Sequence, residues 1–153
     1  MHDPEPQQPE TEARIQPEQT DLRRELLKAL VATLFFGAAG GIFTATLNNY
    51  LADVHLLGAE GRGWLEFPRE LPGFLMMFIA GLLLTRLRET QMAAVAMLAT
   101  AMGSLGLAYL APDTFWLVVW IVIWSLGDHI IFAVEGPIGL KLAREAVSYT
   151  HLR

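Results

Sequence analysis

The strongest constraint in this sequence is a set of long apolar runs that begin after Leu26 and carry few charges. Of the 153 residues, 53% are hydrophobic and 18% are charged, whereas soluble domains usually carry roughly 25% charged residues. A soluble core would break its apolar residues into the periods of helices or strands. Runs that are apolar on every side indicate helices buried in lipid. The sequence therefore predicts an all-α membrane protein.

Four runs can cross a bilayer, for which about twenty apolar residues are needed. The predicted transmembrane spans are 29–47, 64–85, 92–110 and 115–135. The second span follows a polar loop, 48–63, and it is the least regular, because its uninterrupted apolar part, 73–84, is too short to cross alone. It reaches full length only if its helix begins near Trp64. That start draws three charged side chains into the membrane zone: Glu66, Arg69 and Glu70.

The two ends of the chain are predicted to lie outside this four-helix segment, which covers residues 21–145. Residues 1–20 are rich in Pro, Gln and Glu and predict a disordered cytoplasmic tail. With the N-terminus inside, most Lys and Arg residues face the cytoplasm, which predicts a multi-pass protein of the cell (inner) membrane. Residues 146–153 resemble translated sequencing-adapter read-through, and we expect an artefactual tail there.

A first candidate site lies in the second span, since charged groups inside hydrocarbon are costly and usually functional. Glu66, Arg69 and Glu70 are spaced by three and four residues, which places them on one helix face. Arg69 can neutralise both carboxylates. Two interpretations stay open. The set is a gate or substrate-contact cluster, or it is an interfacial salt bridge at the helix start with Arg69 reaching towards water.

A second candidate site lies in the fourth span and consists of Asp128, His129 and Glu135. Asp128 and Glu135 are seven residues apart and share a helix face. A carboxylate and an imidazole within a membrane are the groups that a proton-coupled carrier needs. In the alternative interpretation, Asp128 pairs with a basic group of a further helix, and Glu135 marks the inner boundary or a kink next to Pro137.

A third candidate set lies near the outer end of the first span and includes Thr44 and Asn48. Their uncharged hydrogen-bonding side chains can line a path for a polar solute. Capping of the helix end explains Asn48 equally well. Both interpretations are kept at this point.

Several functional classes lack their usual signatures. The sequence contains no phosphate-binding glycine loop, no His-Glu-x-x-His and no Gly-x-Ser-x-Gly. It contains no cysteine, which removes thiolate catalysis and Cys-zinc sites. It has no basic stripe of the kind that binds nucleic acid. We therefore predict no enzymatic activity, no cofactor, no metal site and no nucleic-acid partner.

The order of these elements resembles the major facilitator superfamily over about residues 26–143. The resemblance rests on a Gly-rich first span that ends in TATLNNY (44–50), on GWLEFPRELPG (63–73) and on a short basic loop after the second span. The family's loop motif is Gly-x-Leu-x-Asp-Arg-x-Gly-Arg. In GLLLTRLRE (81–89), Gly81, Leu83 and Arg86 match it, whereas Thr85 replaces the acidic residue and Arg88 the second glycine.

The resemblance implies about twelve spans in two six-helix halves, a solute site near the midplane and alternating access. It also places the first and fourth helices against the central cavity. We therefore expect the N-terminal part of a secondary active permease for a small polar or ionic solute, with protons as a candidate coupling ion. Its partners would be the lipid bilayer and the missing C-terminal helices of the same protein. Two alternatives stay open: a complete small four-helix membrane protein with a scaffolding or assembly role, and an integral membrane enzyme.

Overall fold

The computed structural model describes the backbone of residues 8–150 and the side chains of residues 23–83, 85–141 and 143–144. Within these residues the chain forms four helices and no strand: α1 (Gln8–Asp53), α2 (Ala59–Arg86), α3 (Glu89–Tyr109) and α4 (Thr114–Thr150). The predicted all-α class is confirmed. The chain divides into two compact units, Met1–Phe35 with Leu140–Arg153, and Phe36–Gly139. The features described next belong to the unit Phe36–Gly139 unless stated otherwise.

Three of the four helices are long and apolar enough to cross a membrane. These segments are Arg23–Asp53, Glu89–Tyr109 and Thr114–Lys141. Among the described residues α2 does not qualify, although the sequence predicts a span at 64–85. The charges of Glu66, Arg69 and Glu70 interrupt the apolar part of α2. The structure thus indicates a membrane-embedded helical protein, and α2 is the helix whose crossing needs a direct test.

The helices extend beyond the predicted spans. Helix α1 includes residues 8–20, where a disordered tail is predicted. A low apolar content argues against a buried core there but not against a helix, because Glu, Gln and Ala have high helix propensity. Residues 1–7 of that tail and residues 151–153 of the predicted artefactual tail lie outside the described residues. The predicted loop 48–63 is reduced to the link 54–58, since its two ends are helical.

Local hydrogen bonds hold the two longer links in tight turns. In the link 54–58, the Leu57 N–H donates to the Leu51 carbonyl at 3.0 Å, and Leu56 adopts a left-handed conformation with φ 53°. Before α4, the Asp113 carboxylate accepts a hydrogen bond from the Trp116 N–H at 3.1 Å. These turns bring consecutive helices of the unit into contact.

Two apolar clusters fill the interior of the unit. The buried members of the first cluster are Leu47, Leu51, Leu65, Leu107, Leu117 and Ile121. Those of the second cluster are Met76, Met92, Ala96, Ile130 and Val134. Helix α2 contributes to both clusters through Leu65 and Met76, and α4 does so through Ile121 and Ile130. The residues of α2 and α4 between these positions are therefore held between two apolar clusters.

Glycines bring α3 and α4 into close contact. A Cβ atom on Gly103 would overlap the backbone of Trp124, and one on Gly106 would overlap the indole of Trp120. Small residues permit such an approach between membrane helices. The glycines of the first span have no such contact. A Cβ atom added to any of them would have no atom of a described residue within 4 Å. These glycines are Gly37, Gly40 and Gly41.

Candidate functional site

An arginine and two glutamates form an ion-pair cluster on α2. The Arg69 Nη2 atom lies 2.5 Å from the Glu66 carboxylate and 3.1 Å from the Glu70 carboxylate, as their spacing predicts. The Arg69 side chain is 25% exposed, whereas those of Glu66 and Glu70 are 53% and 59% exposed. The cation therefore lies inside the cluster and the carboxylates open outwards. The buried Arg69 Nε has no hydrogen-bond partner among the described residues.

Two prolines lie in α2 on either side of Arg69. Pro68 and Pro72 both lie inside α2. Each lacks a backbone N–H, and each interferes with the carbonyl four residues before it. The Arg69 carbonyl accepts a hydrogen bond from the Ser125 hydroxyl of α4. The prolines thus flank the segment of α2 whose backbone contacts α4.

His129 connects this cluster to α4. Its Nε2 atom lies 3.5 Å from the second oxygen of Glu70. Its Nδ1 atom lies 2.9 Å from the Ser125 carbonyl oxygen and 3.1 Å from the Ser125 hydroxyl. Gly73 makes room for the ring, because a Cβ atom there would overlap the imidazole. Glu70 of the first candidate set and His129 of the second, which the sequence places on separate spans, thus meet in space.

Asp128 is half-buried next to this contact. No ion pair joins its carboxylate to another described residue, but the charges of His129, Arg69 and Glu70 all act on it. We name the whole group the polar layer. Its members are Glu66, Arg69, Glu70, Ser125, Asp128 and His129.

The polar layer lies deep along its helices. On α2 its residues fall between Leu65 and Met76, and on α4 they fall between Ile121 and Ile130, so an apolar cluster lies on either side. On α4 this is close to the middle of the apolar segment Thr114–Lys141. Helix α2 begins at Ala59, well before the charges. The α2 set thus lies seven or more residues after the start of its helix, and both interpretations of it stay open.

The remaining predicted residues are not part of the polar layer. Glu135, Thr44 and Asn48 are exposed, and no hydrogen bond or ion pair joins their side chains to another described residue. Of the loop-motif residues, Gly81 and Arg86 lie near the end of α2 and Arg88 precedes α3. The Arg88 backbone N–H donates to the Gln91 side chain at 3.0 Å. These residues therefore lie at or near the link between α2 and α3.

Sequence reasoning missed two members of the contact between α2 and α4. Ser125 is fully buried and lies one helical turn before His129, a spacing that places both on one face. Gly73 lies one turn after Arg69 and directly after Pro72. A small polar residue or a glycine one turn from a charged residue in a membrane segment is thus a usable signal.

The described residues contain no group of three or more His, Asp or Glu side chains that could hold a metal ion. No protein-family model matches the chain, and no curated protein or solved structure matches it.

Proposed function

We propose that the chain is a membrane-embedded part of a secondary active permease, in which all four helices cross the bilayer. The solute would be small and polar or ionic, and it would move by alternating access. One observation carries the proposal: a layer of charged side chains lies between two apolar clusters, at the middle of the α4 span. Ionisable groups at such depth are expensive and typically serve a solute or ion path.

The accessibility of the polar layer supports contact with a solute. The carboxylates of Glu66 and Glu70 are more than half exposed. The buried Arg69 Nε–H has no acceptor among the described residues, and a buried donor without a partner is costly. A polar solute or a water molecule beside Arg69 would satisfy it. The layer thus offers acceptors and a donor within one region.

The prolines inside the helices support a conformational change. Pro68 and Pro72 lie inside α2 at the polar layer, and Pro137 lies inside α4. Sharp kinks in helices occur mostly at proline. Transporters place broken or bent helices beside their solute sites. A segment of α2 that bends at Pro72 would change the access to Arg69 from one side of the membrane.

The resemblance to the major facilitator superfamily supports the same class of function. If it holds, the chain supplies α1–α4 of an N-terminal half, and further helices of the same protein complete the solute path. Arg86 at the end of α2 and Arg88 in the short link to α3 face the cytoplasm in the proposed topology. The proposed location is the cell membrane, with the N-terminus inside.

A solute-uptake screen with the full native reading frame tests this proposal. Proteoliposomes with an inward proton gradient are offered cationic, anionic and zwitterionic solutes. We expect accumulation of one class, and we expect Glu70→Gln to lower it about tenfold, the effect of losing roughly 1.4 kcal/mol of binding free energy. The reason is that Glu70 contacts both Arg69 and His129.

The matched control is Glu135→Gln, which removes a carboxylate from α4 at an exposed position away from the polar layer. It should retain wild-type uptake. The proposal fails if no solute class is accumulated, or if both variants reduce uptake equally.

One observation favours the alternative of a small membrane protein with a scaffolding or assembly role. The glycines Gly37 and Gly41 are exposed on α1, and they have the small-xxx-small spacing that lets a second helix approach closely. This face would bind a helix of a partner protein. A chain that purifies with a stoichiometric partner and accumulates no solute would support this alternative.

A further inference from the structure

The imidazole of His129 has a different environment at each of its two nitrogens. Nδ1 faces the Ser125 carbonyl oxygen at 2.9 Å and the Ser125 hydroxyl at 3.1 Å. Nε2 faces Glu70 at 3.5 Å. The ring is 21% exposed, and the Glu70 side chain is 59% exposed. The pair therefore joins a largely buried base to a more exposed carboxylate.

The contacts of Ser125 fix the hydrogen on Nδ1. A carbonyl oxygen can only accept a hydrogen bond. The single hydrogen of the Ser125 hydroxyl is already donated to the Arg69 carbonyl, so the hydroxyl oxygen also acts as an acceptor towards the ring. Both neighbours of Nδ1 are therefore acceptors, and Nδ1 must carry a hydrogen.

This assignment leaves one nitrogen for an exchangeable proton. A neutral ring with its hydrogen on Nδ1 would point the Nε2 lone pair at the Glu70 carboxylate, and two acceptors would then face each other. A proton between Nε2 and Glu70 Oε2 converts this contact into a charge-assisted hydrogen bond. We propose that His129 and Glu70 together form the binding site for one proton, which couples transport to the proton gradient. The coupling role rests on the proposed function, whereas the proton site does not.

Charged groups of both helices surround the pair of His129 and Glu70. Besides Glu70, the charged groups near His129 are Glu66 and Arg69 on α2 and Asp128 on α4. Among the described residues α1 and α3 contribute no ion pair to the polar layer. With Nε2 unprotonated, the layer holds one cation and three carboxylates. A bound proton adds a second cation, which reduces the net charge that must be held between two apolar clusters.

Proton release follows a simple path. The Nε2–H bond breaks, its electron pair stays on Nε2, and the proton passes along the exposed Glu70 carboxylate to water. The Nε2 lone pair and the carboxylate then repel each other, which weakens the contact between α4 and α2. Since Gly73 packs against the same ring, release favours separation of the two helices beside Pro72.

Nitrogen NMR of the chain in lipid nanodiscs tests the proton site without any solute. The sequence contains four histidines, and His129→Gln assigns the signals of His129 by their loss. We expect Nδ1 to carry hydrogen from acid to alkaline pH, and we expect Nε2 alone to lose its hydrogen as the pH rises. Loss of the Nδ1 hydrogen before the Nε2 hydrogen in the wild-type protein would overturn the proposal. This outcome is seen in the wild-type spectra themselves.

Two variants then identify the partner of the proton. Glu70→Gln should remove the Nε2-bound hydrogen at a pH at which the wild type retains it. Glu66→Gln removes the same charge from the same helix but has no contact with His129, so its effect on the Nε2 signal should be smaller than that of Glu70→Gln. Equal effects of the two variants would overturn the assignment to Glu70. If the proton site is found but no solute accumulates, only the proposed transport function fails.

Discussion

Replacing Gly103 with alanine is expected to lower the free energy of unfolding of the helical unit by about 2 kcal/mol or more. The added Cβ would overlap the backbone of Trp124, and backbone cannot move aside as a flexible side chain can. Overpacking of this kind costs about 1–3 kcal/mol. An SDS titration in mixed micelles, followed by tryptophan fluorescence, measures the change, and Trp124 itself reports on the contact.

Gly81→Ala is the matched control for this prediction. Gly81 lies inside α2, and an added Cβ there has no atom of a described residue within 4 Å. The same substitution should leave stability unchanged or raise it by up to about 1 kcal/mol, because alanine has the higher helix propensity. Equal losses of stability at both positions would contradict the close contact between α3 and α4.

The second large effect is expected for Arg69→Gln, which should lower the free energy of unfolding of the unit by about 3 kcal/mol. Arg69 pairs with both Glu66 and Glu70, and its removal leaves two carboxylates between apolar clusters without a counter-charge. Removing one partner of a buried ion pair costs roughly 3–5 kcal/mol, and the partial exposure of the two glutamates lowers that figure. The same SDS titration provides the measurement.

Neutralising the whole α2 cluster should reverse this loss. In the triple variant Glu66→Gln, Arg69→Gln and Glu70→Gln, no unpaired charge is left on α2 within the polar layer. We expect the free energy of unfolding of the triple variant to exceed that of Arg69→Gln by about 2 kcal/mol or more. Arg86→Gln, which removes an exposed arginine at the end of α2, should have little effect. If the triple variant is no more stable than Arg69→Gln, the ion pairs do not explain the loss.

The all-α class and the helix order could be predicted, because long apolar runs with few charges favour helices long enough to span a membrane. The ends of the helices could not be predicted. The segments 8–20 and 48–53 are polar and yet helical, since a helix continues beyond the apolar part of its sequence whenever propensity allows. The close glycine contacts between α3 and α4 could not be predicted either, because the spacing of small residues does not say which helix is the partner.

The ionic contacts within α2 could be predicted, because residues three or four apart on one helix meet by geometry alone. The contact between Glu70 and His129 could not, since it depends on how α2 packs against α4. The predicted common helix face of Asp128 and Glu135 did not help, because Glu135 is exposed and is not part of the polar layer. Ser125 was missed because a serine in an apolar run carries no charge to draw attention.

The central claim is that α2 crosses the membrane although its charges interrupt its apolar sequence, and cysteine labelling from outside the cell tests it most directly. The chain has no native cysteine, so single cysteines at Val54, Leu87 and Asp113 report on the three links between helices. With four crossings and the N-terminus inside, a membrane-impermeant maleimide should label Val54→Cys and Asp113→Cys but not Leu87→Cys. Labelling at both Val54→Cys and Leu87→Cys, with Asp113→Cys protected, would show that only α1, α3 and α4 cross, and it would contradict the account.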